Sequence, residues 1–267
     1  MLTREQIASA ARRLDSAEKT RAQIGLLSLE HPQMDMADAY AIQAAWVAMK
    51  CAAGRSVKGH KIGLTSRAMQ QALGIDIPDS GVLLDDMFFD DQGDIPTARF
   101  IATRIEAELA FILKAPLSGP DLSIDAVLDA TDFILPAFEI LDTRIVRADP
   151  ATGKARNVFD TIADNAANAG IVMGGQPLRP RDWNIKWIGA IVSRNGIVEE
   201  TGLAAGVLGH PALGVAWLAN KLGEHGVALE PGHIVLAGSF TRVVFAQKGD
   251  TLHADFGPLG GLAVQFI

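Results

Sequence analysis

The segment RIEAELAFIL, residues 104–113, places two glutamates in alternate positions of an otherwise apolar run. In a β-strand, successive side chains point to opposite faces, so Ile105 and Leu109 would share one face while Glu106 and Glu108 point together from the other. Like charges on one face repel each other, and burial of an unpaired carboxylate is costly. A fold that contains this strand must therefore either expose the two carboxylates to water or neutralise them.

The surroundings of this pair argue against simple exposure of both carboxylates. Beyond the glutamates, the same face continues into the apolar residues Ala110 and Ile112. A further acid, Glu139, lies in the similarly apolar segment ILPAFEIL. Arg104 is the only basic residue directly beside these segments, and it could pair with only one acid. A half-exposed strand with solvated glutamates remains one interpretation, and a neutralised cluster of acids is the other.

Carboxylates with no neighbouring histidine or cysteine are typical ligands of a hard divalent cation such as Mg²⁺. A bound cation would also remove the repulsion between the acids. A glycosidase-type pair of carboxylates is the competing chemical interpretation, but adjacent acids on one face cannot easily flank a sugar bond. The sequence therefore predicts a Mg²⁺ site at Glu106, Glu108 and Glu139, in which Mn²⁺ would substitute.

Other polar residues lie in segments that suit a reactive site. Lys61 lies in GHKIGLTS and alternates with His60 and Ile62. A lysine in an apolar strand beside a metal would have a lowered pKa and would serve in proton transfer. The alternative interpretation of Lys61 is a surface lysine without a role in chemistry. Asp79, in IPDSG, is typical of a turn. The asparagines of DNAANAG, residues 164–170, are typical of a turn or of substrate ligands.

The composition excludes several classes of partner. The net charge of −7, without a dense run of Lys or Arg, argues against nucleic-acid and anionic-membrane partners. No apolar stretch approaches the ~20 residues that a membrane helix needs, and the charged N-terminus lacks the apolar core of a signal peptide. The single cysteine, Cys51, excludes an internal disulfide and suits a reducing compartment. We therefore expect a soluble, cytoplasmic protein.

Periodicity along the chain predicts one domain of mixed structure. Apolar spacing typical of amphipathic helices dominates residues 1–55, and short apolar runs separated by Gly, Pro and Asp follow. Residues 185–193 predict a strand, and Asn195-Gly196 after it predicts a hairpin turn. We therefore expect a single α+β domain over residues 1–267, with the helical N-terminal region packed on a β-rich core.

Several longer motifs follow one another over nearly the whole chain. They are GHKIGLTS (59–66), PDSGVLLDDMFF (78–89), RIEAELAF (104–111), PAFEILDTR (136–144), DNAANAG (164–170) and AGSFTR (237–242). Together they resemble the 2-hydroxypentadienoate hydratase and 4-oxalocrotonate decarboxylase family, a branch of the fumarylacetoacetate hydrolase superfamily used in meta-cleavage of aromatic compounds. The resemblance implies a mixed, strongly curved β-roll with peripheral helices and a homo-oligomer, with a pentamer-based ring as one form.

The resemblance also implies roles for individual residues. Glu106, Glu108 and Glu139 match the family's Mg²⁺ ligands, and Lys61 and Asp79 match the pair assigned to acid and base work. The substrate would be a small 2-oxo or 2-hydroxy dienoic acid. The residues expected to contact it are Thr65, Asn165 and Ser239, together with Arg67 and Arg242 as candidates for a second carboxylate.

Within the family, TGLAAGVLGHPALGVAWLANKL favours a hydratase of the homoprotocatechuate pathway that acts on a seven-carbon dicarboxylate. The alternatives are a hydratase for the five-carbon monocarboxylate, a 4-oxalocrotonate-type decarboxylase, and a hydrolase of C–C bonds. A non-catalytic subunit that stabilises a decarboxylase is the alternative of a different class, and the presence of every expected ligand disfavours it.

Overall fold

Helices form the N-terminal part of the computed structural model, which describes residues 1–67, 70–71, 75 and 77–267. The longer ones, α1 (Arg4–Thr20) and α3 (Met36–Ala52), flank a short α2 (Leu27–Glu30). Asp35 caps the N-terminus of α3, and the side chains of Asp35 and Asp38 each accept a hydrogen bond from the other residue's backbone N–H. Later helices of the described chain are α4 (Ile124–Ala130), α5 (Val158–Ala163) and α6 (Pro211–Gly223).

Strands make up most of the chain after α3. In chain order they are β1 (Val57–Gly63), β2 (Asp79–Leu84), β3 (Phe88–Phe89), β4 (Asp94–Ile95), β5 (Arg104–Leu113), β6 (Thr131–Leu141), β7 (Asn168–Met173), β8 (Gly189–Arg194), β9 (Ile197–Leu203), β10 (Ile234–Leu236), β11 (Val244–Phe245), β12 (Thr251–Asp255) and β13 (Gly261–Phe266). The predicted hairpin is confirmed, because Asn195 and Gly196 have φ angles of 54° and 81°, as a tight two-residue turn requires.

The strand predicted over residues 185–193 is wrong at its beginning. Ile185–Trp187 forms a turn of 3₁₀ helix, and β8 starts only at Gly189. Ile185 and Ile188 are both buried, and this three-residue spacing suits a 3₁₀ turn rather than a strand.

The strands form two sheets. The first has the order β2-β1-β10-β5-β6-β7-β3, and β11 also pairs with β5. It is mixed, because β1 pairs with β10 and β3 with β7 in parallel, whereas β5 and β6 are antiparallel. The second sheet has the order β4-β13-β12-β8-β9. A mixed sheet with peripheral helices agrees with the predicted α+β class.

The β5–β6 pair separates an apolar face from a polar one. The apolar face of β5 joins the largest hydrophobic cluster, which takes in residues of both sheets. Its fully buried members on β5 are Ile105, Ala107, Leu109 and Phe111. The opposite face carries Glu106 and Glu108, as the alternation of the sequence predicted. This second face is where the predicted site residues meet.

The N-terminal helices pack on the β-rich part through a separate hydrophobic cluster. Leu14 of α1 and Ile42 and Trp46 of α3 contact a cluster that includes Leu84 of β2 and Ile162 of α5. The N-terminal helices therefore pack against β2, the strand that begins with Asp79. Among the helices that the structure describes, none combines the length and the apolarity that a bilayer crossing would require.

Candidate active site

Glu106 and Glu139 lie directly opposite each other across the β5–β6 pair. Glu108 follows on the same face of β5, so three carboxylates converge, with one oxygen from each lying within 4.8 Å of the others. Glu108 and Glu139 are fully buried, whereas Glu106 is partly exposed. The register of two neighbouring strands therefore assembles the acidic cluster that the sequence predicted.

Protein donors hold one oxygen of each buried carboxylate and leave the other open. The backbone N–H of Gly238 donates to Glu108 Oε2 at 2.8 Å. The side-chain amide of Asn168 donates to Glu139 Oε1 at 2.9 Å, and Lys61 Nζ lies 3.2 Å from the same oxygen. Glu108 Oε1 and Glu139 Oε2 are buried and have no hydrogen-bond partner among the described residues. Two open carboxylate oxygens beside the partly exposed Glu106 form a donor set that fits a hard divalent cation.

Burial raises the pKa of all three acids, and repulsion from the neighbouring acids adds to it at Glu106 and Glu108. Burial, and then the charge of Glu139, raises the pKa of Glu106 to about 7. Burial followed by the charges of Glu139 and Glu106 raises the pKa of Glu108. Burial also raises the pKa of Glu139, although Lys61 acts against it. A positive charge among the three carboxylates would offset these effects, as expected of a site that binds a metal ion.

Lys61 extends from β1 into the same buried region. Burial acts to lower its pKa, but the surrounding carboxylates, Glu139 foremost, raise it by more, so the net pKa lies above the ordinary lysine value. The carboxylates alone therefore raise the pKa of Lys61, and the lowered pKa of a lysine beside a bound metal stays a prediction. The apolar strand by itself favours a lowered pKa, but the carboxylates come from strands that are distant in sequence.

Asp79 is the first residue of β2 and lies opposite Gly63 of β1. It is buried rather than part of an exposed turn, and its Oδ1 has no hydrogen-bond partner in the described part of the chain. A Cβ at Gly63 would lie 2.3 Å from Asp79 Oδ1 and 3.0 Å from Lys61 Nζ. Asp79 and Lys61 therefore flank the same point, and the absence of a side chain at Gly63 gives them room.

Replacement of Gly63 by alanine is expected to lower kcat without unfolding the protein. The added methyl would displace the Asp79 carboxylate, and displacement of a catalytic group by about 1 Å can cost on the order of 10²-fold in rate. Gly25→Ala is the matched control, since the nearest atom to a Cβ there lies 3.8 Å away. Equal kcat values for the two variants in steady-state assays would contradict a role for this close approach.

A cavity of about 620 Å³ opens onto the acidic cluster at Glu106. Its lining residues are Gly63, Leu64, Thr65, Ser66, Glu106, Glu200, Thr201, Gly206, Ser239, Phe240, Thr241, Arg242 and Val243. Three of the predicted substrate contacts, Thr65, Ser239 and Arg242, are thus at this cavity. Arg67 instead lines a neighbouring cavity of about 650 Å³, which shares Gly206 with the first.

The side chain of Asn165, the other predicted substrate contact, forms hydrogen bonds with the backbone of Val82. Its Oδ1 accepts from Val82 N–H at 2.8 Å, and its Nδ2 donates to Val82 C=O at 2.9 Å. Asn165 does not belong to the described lining of the cavity that contains Glu106. Its amide instead fixes β2, whose first residue is Asp79.

The partners of the cavity residues define what a ligand would meet. Arg242 Nε lies 2.9 Å from Glu200 Oε1, and 83% of the Arg242 side chain is exposed. The Ser239 hydroxyl donates to Thr241 C=O at 2.8 Å, so it belongs to the hydrogen bonding of its own loop. The described lining of this cavity therefore contains the carboxylates of Glu106 and Glu200 and one cationic side chain, Arg242.

Sequence reasoning missed Asn168 as a partner of the acidic cluster. The motif DNAANAG contains two asparagines, and Asn165 was the one predicted to contact the substrate. In the structure, Asn168 is the one that contacts Glu139. Asn168 is the first residue of β7, next to β6, and no sequence pattern predicted that strand pairing.

Comparisons with known proteins place the chain in a family. It is 56% identical to 2-oxo-hept-4-ene-1,7-dioate hydratase of Escherichia coli over 257 residues, 96% of each chain. It superposes with a TM-score of 0.94 and 33% identity on 4-oxalocrotonate decarboxylase from Pseudomonas putida G7, solved with magnesium and adipate, covering 100% of this chain and 99% of that one.

A fumarylacetoacetate hydrolase family protein from yeast shares the fold alone, with a TM-score of 0.55, 17% identity and coverage of 78% of this chain and 91% of that one. No family model matches the chain. Identity to the hydratase and the decarboxylase extends over almost all of this sequence, and the curved mixed sheet agrees with the superfamily fold that the motifs implied. The fold is shared with fumarylacetoacetate hydrolase family proteins, and the chain belongs to the family of these hydratases and 4-oxalocrotonate decarboxylases.

Proposed function

We propose that the protein hydrates 2-oxo-hept-4-ene-1,7-dioate, through its dienol, to 4-hydroxy-2-oxo-heptane-1,7-dioate in the meta-cleavage degradation of aromatic compounds. The observation that carries this proposal is the convergence of Glu106, Glu108 and Glu139 beside Lys61 and Asp79. The 56% identity to the Escherichia coli hydratase of that name supports the choice of substrate.

The residues that would hold a divalent cation are the three glutamates, with Mg²⁺ as the natural ion and Mn²⁺ as a substitute. The open oxygens of Glu108 and Glu139 support this assignment, and so does the magnesium in the related decarboxylase structure. When bound, such a cation supplies Lewis-acid polarisation to the 2-oxo group of the substrate.

The proton transfers are assigned to Lys61 and Asp79. Removal of the 2-hydroxyl proton of the dienol and delivery of a proton to C5 move the double bond to C3–C4. C4 then becomes electrophilic by conjugation with the 2-oxo group. Water adds its hydroxyl to C4 and a proton arrives at C3, so the net change is the addition of one water molecule. The proximity of Lys61 Nζ and Asp79 Oδ1 to the same point beside Gly63 supports this assignment.

A direct assay tests the proposal and separates it from the alternatives. Purified protein with Mg²⁺ would be given the seven-carbon dienol and its five-carbon analogue, and the products would be identified by mass. Hydration adds the mass of one water molecule, whereas decarboxylation removes that of CO₂. 4-Oxalocrotonate would be tested in the same way, since loss of its distal carboxylate gives a conjugated dienolate. Loss of CO₂ from it would replace the hydratase by a decarboxylase, and no product from any of the three compounds would contradict both.

The seven-carbon dicarboxylate is expected to be the better substrate. A second carboxylate left unpaired in the cavity would be costly, and Arg242 lies at the cavity edge to meet it, with Arg67 in the adjoining cavity as the other candidate. Loss of this contact should lower kcat/KM by roughly 10–100-fold, equivalent to ~1.5–3 kcal/mol.

The measurement compares kcat/KM for both dienols on the wild type, Arg242→Ala and Arg67→Ala. Arg12→Ala, an exposed arginine of α1, is the control. The preference should vanish in Arg242→Ala and persist in the control. Equal efficiency of the wild type on the two dienols would contradict the assignment of the dicarboxylate.

The domain organisation, cellular compartment and oligomeric state of the protein are further proposals. We propose that residues 1–267 act as one hydratase domain in the cytoplasm, since the exposed Cys51 is free. We also propose a homo-oligomer, with a pentamer-based ring as one form. Large apolar side chains exposed on and beside the second sheet support it, among them Trp187, Ile197 and Phe245.

A further inference from the structure

The turn between α5 and β7 has an unusual backbone. Asn165, Ala166 and Ala167 follow one another with φ angles of 52°, 50° and 60°. The left-handed region is unfavourable for residues that carry a Cβ, and residues other than glycine rarely occupy it in succession. Contacts from the rest of the molecule must therefore hold this turn in place.

A buried ion pair supplies those contacts. Arg144 and Asp164 are almost completely buried, and the Arg144 guanidinium pairs with Asp164 Oδ1. The Arg144 backbone N–H donates to Asp164 Oδ2 at 2.8 Å. The same guanidinium donates to the carbonyl of Asp164 at 2.7 Å and to the carbonyl of Asn168 at 3.2 Å. Arg144 thus joins the residue before the left-handed turn to the residue after it.

The turn places Asn168 against one carboxylate of the acidic cluster. Asn168 is fully buried, and its Nδ2 donates to Glu139 Oε1 at 2.9 Å. An ionised carboxylate only accepts hydrogen bonds, so the nitrogen of the amide must face Glu139. Because Lys61 Nζ approaches the same Oε1, both donors engage one oxygen and leave Glu139 Oε2 open.

We propose that Asn168 is a positioning residue for Glu139, held in place by the turn that Arg144 and Asp164 secure. This inference rests on the proposed cation site at Glu106, Glu108 and Glu139. Asn168 fixes the rotation of the Glu139 carboxylate so that Oε2 faces the other two acids. Without the amide donor, the Glu139 carboxylate is free to turn, and its oxygen no longer stays within reach of those of Glu106 and Glu108.

The test measures binding of Mn²⁺ to the full-length protein by titration calorimetry, with no substrate present. Loss of a hydrogen-bond partner behind a metal ligand typically weakens affinity by ~10–100-fold. We expect a loss in this range for Asn168→Ala and a smaller loss for Asn168→Ser, which keeps a donor on a shorter side chain. Circular dichroism on each variant checks that the fold is retained, and the serine variant serves if the alanine variant does not fold.

The matched control is Asn220→Ala. Asn220 Oδ1 accepts from the backbone N–H of Leu122 at 3.0 Å, on α6 and away from the acids. This variant should lose some thermal stability but keep the wild-type affinity for Mn²⁺. A purely structural role for Asn168 would lower the melting temperature of its variants in the same way and leave affinity unchanged.

The outcomes separate the inference from the function on which it rests. Wild-type affinity in both Asn168 variants, or an equal loss in Asn220→Ala, would overturn the positioning role while the cation site stands. Failure of the wild type to bind Mn²⁺ would instead overturn the proposed cation site itself.

Discussion

Glutamine in place of Glu106 is expected to abolish most cation binding and reduce turnover to background. Glutamine keeps the shape of the side chain but removes the negative charge that attracts the ion. Glu106 is the cluster's partly exposed member and opens onto the cavity, so the fold should tolerate the change. The loss of affinity should exceed the ~10–100-fold that follows removal of an outer partner of a metal ligand. Calorimetric titration with Mn²⁺ and steady-state kinetics with Mg²⁺ measure the two effects.

The control for Glu106→Gln is Glu199→Gln, which removes the same charge from an exposed position on β9 that pairs with Arg194. It should bind Mn²⁺ and turn over as the wild type does. Undiminished turnover after treatment of the wild type with a chelator would contradict the requirement for a cation altogether. Normal turnover of Glu106→Gln would remove that residue from the ligand set.

Methionine in place of Lys61 is expected to reduce kcat by ~10²–10⁴-fold, the usual contribution of general acid–base catalysis. Methionine retains most of the apolar stem but carries no proton. Affinity for Mn²⁺ should not fall, because the change removes a positive charge that lies 3.2 Å from Glu139 Oε1 and competes for that carboxylate. Rapid-mixing or steady-state assays at saturating Mg²⁺ give kcat, and calorimetry gives the affinity.

Lys58→Met serves as the control for Lys61, since Lys58 is an exposed lysine on the same strand. A kcat for Lys61→Met within a few-fold of the wild type would assign Lys61 a different role. It would then act only as a counter-charge that makes the buried acids tolerable, and Asp79 would be left as the proton-bearing group.

Local patterns in the sequence predicted the parts of the site that lie within one strand. Alternation along residues 104–113 placed Glu106 and Glu108 on one face, and the structure confirms it. The opposition of Glu106 and Glu139 depends on the pairing register of two strands separated by a helix. No local pattern specifies that register, so the structure was needed to show that the three acids meet.

The environment of Lys61 was harder to predict for the same reason. An apolar strand suggests a lowered pKa, but Glu139 comes from β6 and Asp79 from β2, and together with the other acids they outweigh burial. The choice between Asn165 and Asn168 likewise depended on which neighbour each amide meets. Both asparagines suit a turn, and only the strand order of the sheet distinguishes Val82 from Glu139 as the partner.

The opposed glutamates also bear on how the chain finds its correct strand pairing. Side chains alternate, so a one-residue slip of β5 against β6 would exchange the two faces of the strand. Glu106 and Glu108 would then enter the apolar cluster now occupied by Ile105 and Phe111, where two unpaired carboxylates are strongly disfavoured. The two acids thus destabilise folding intermediates in which β5 and β6 pair in the wrong register. The same side chains that suit a chemical site therefore favour a single alignment of the longest strand pair of the described chain.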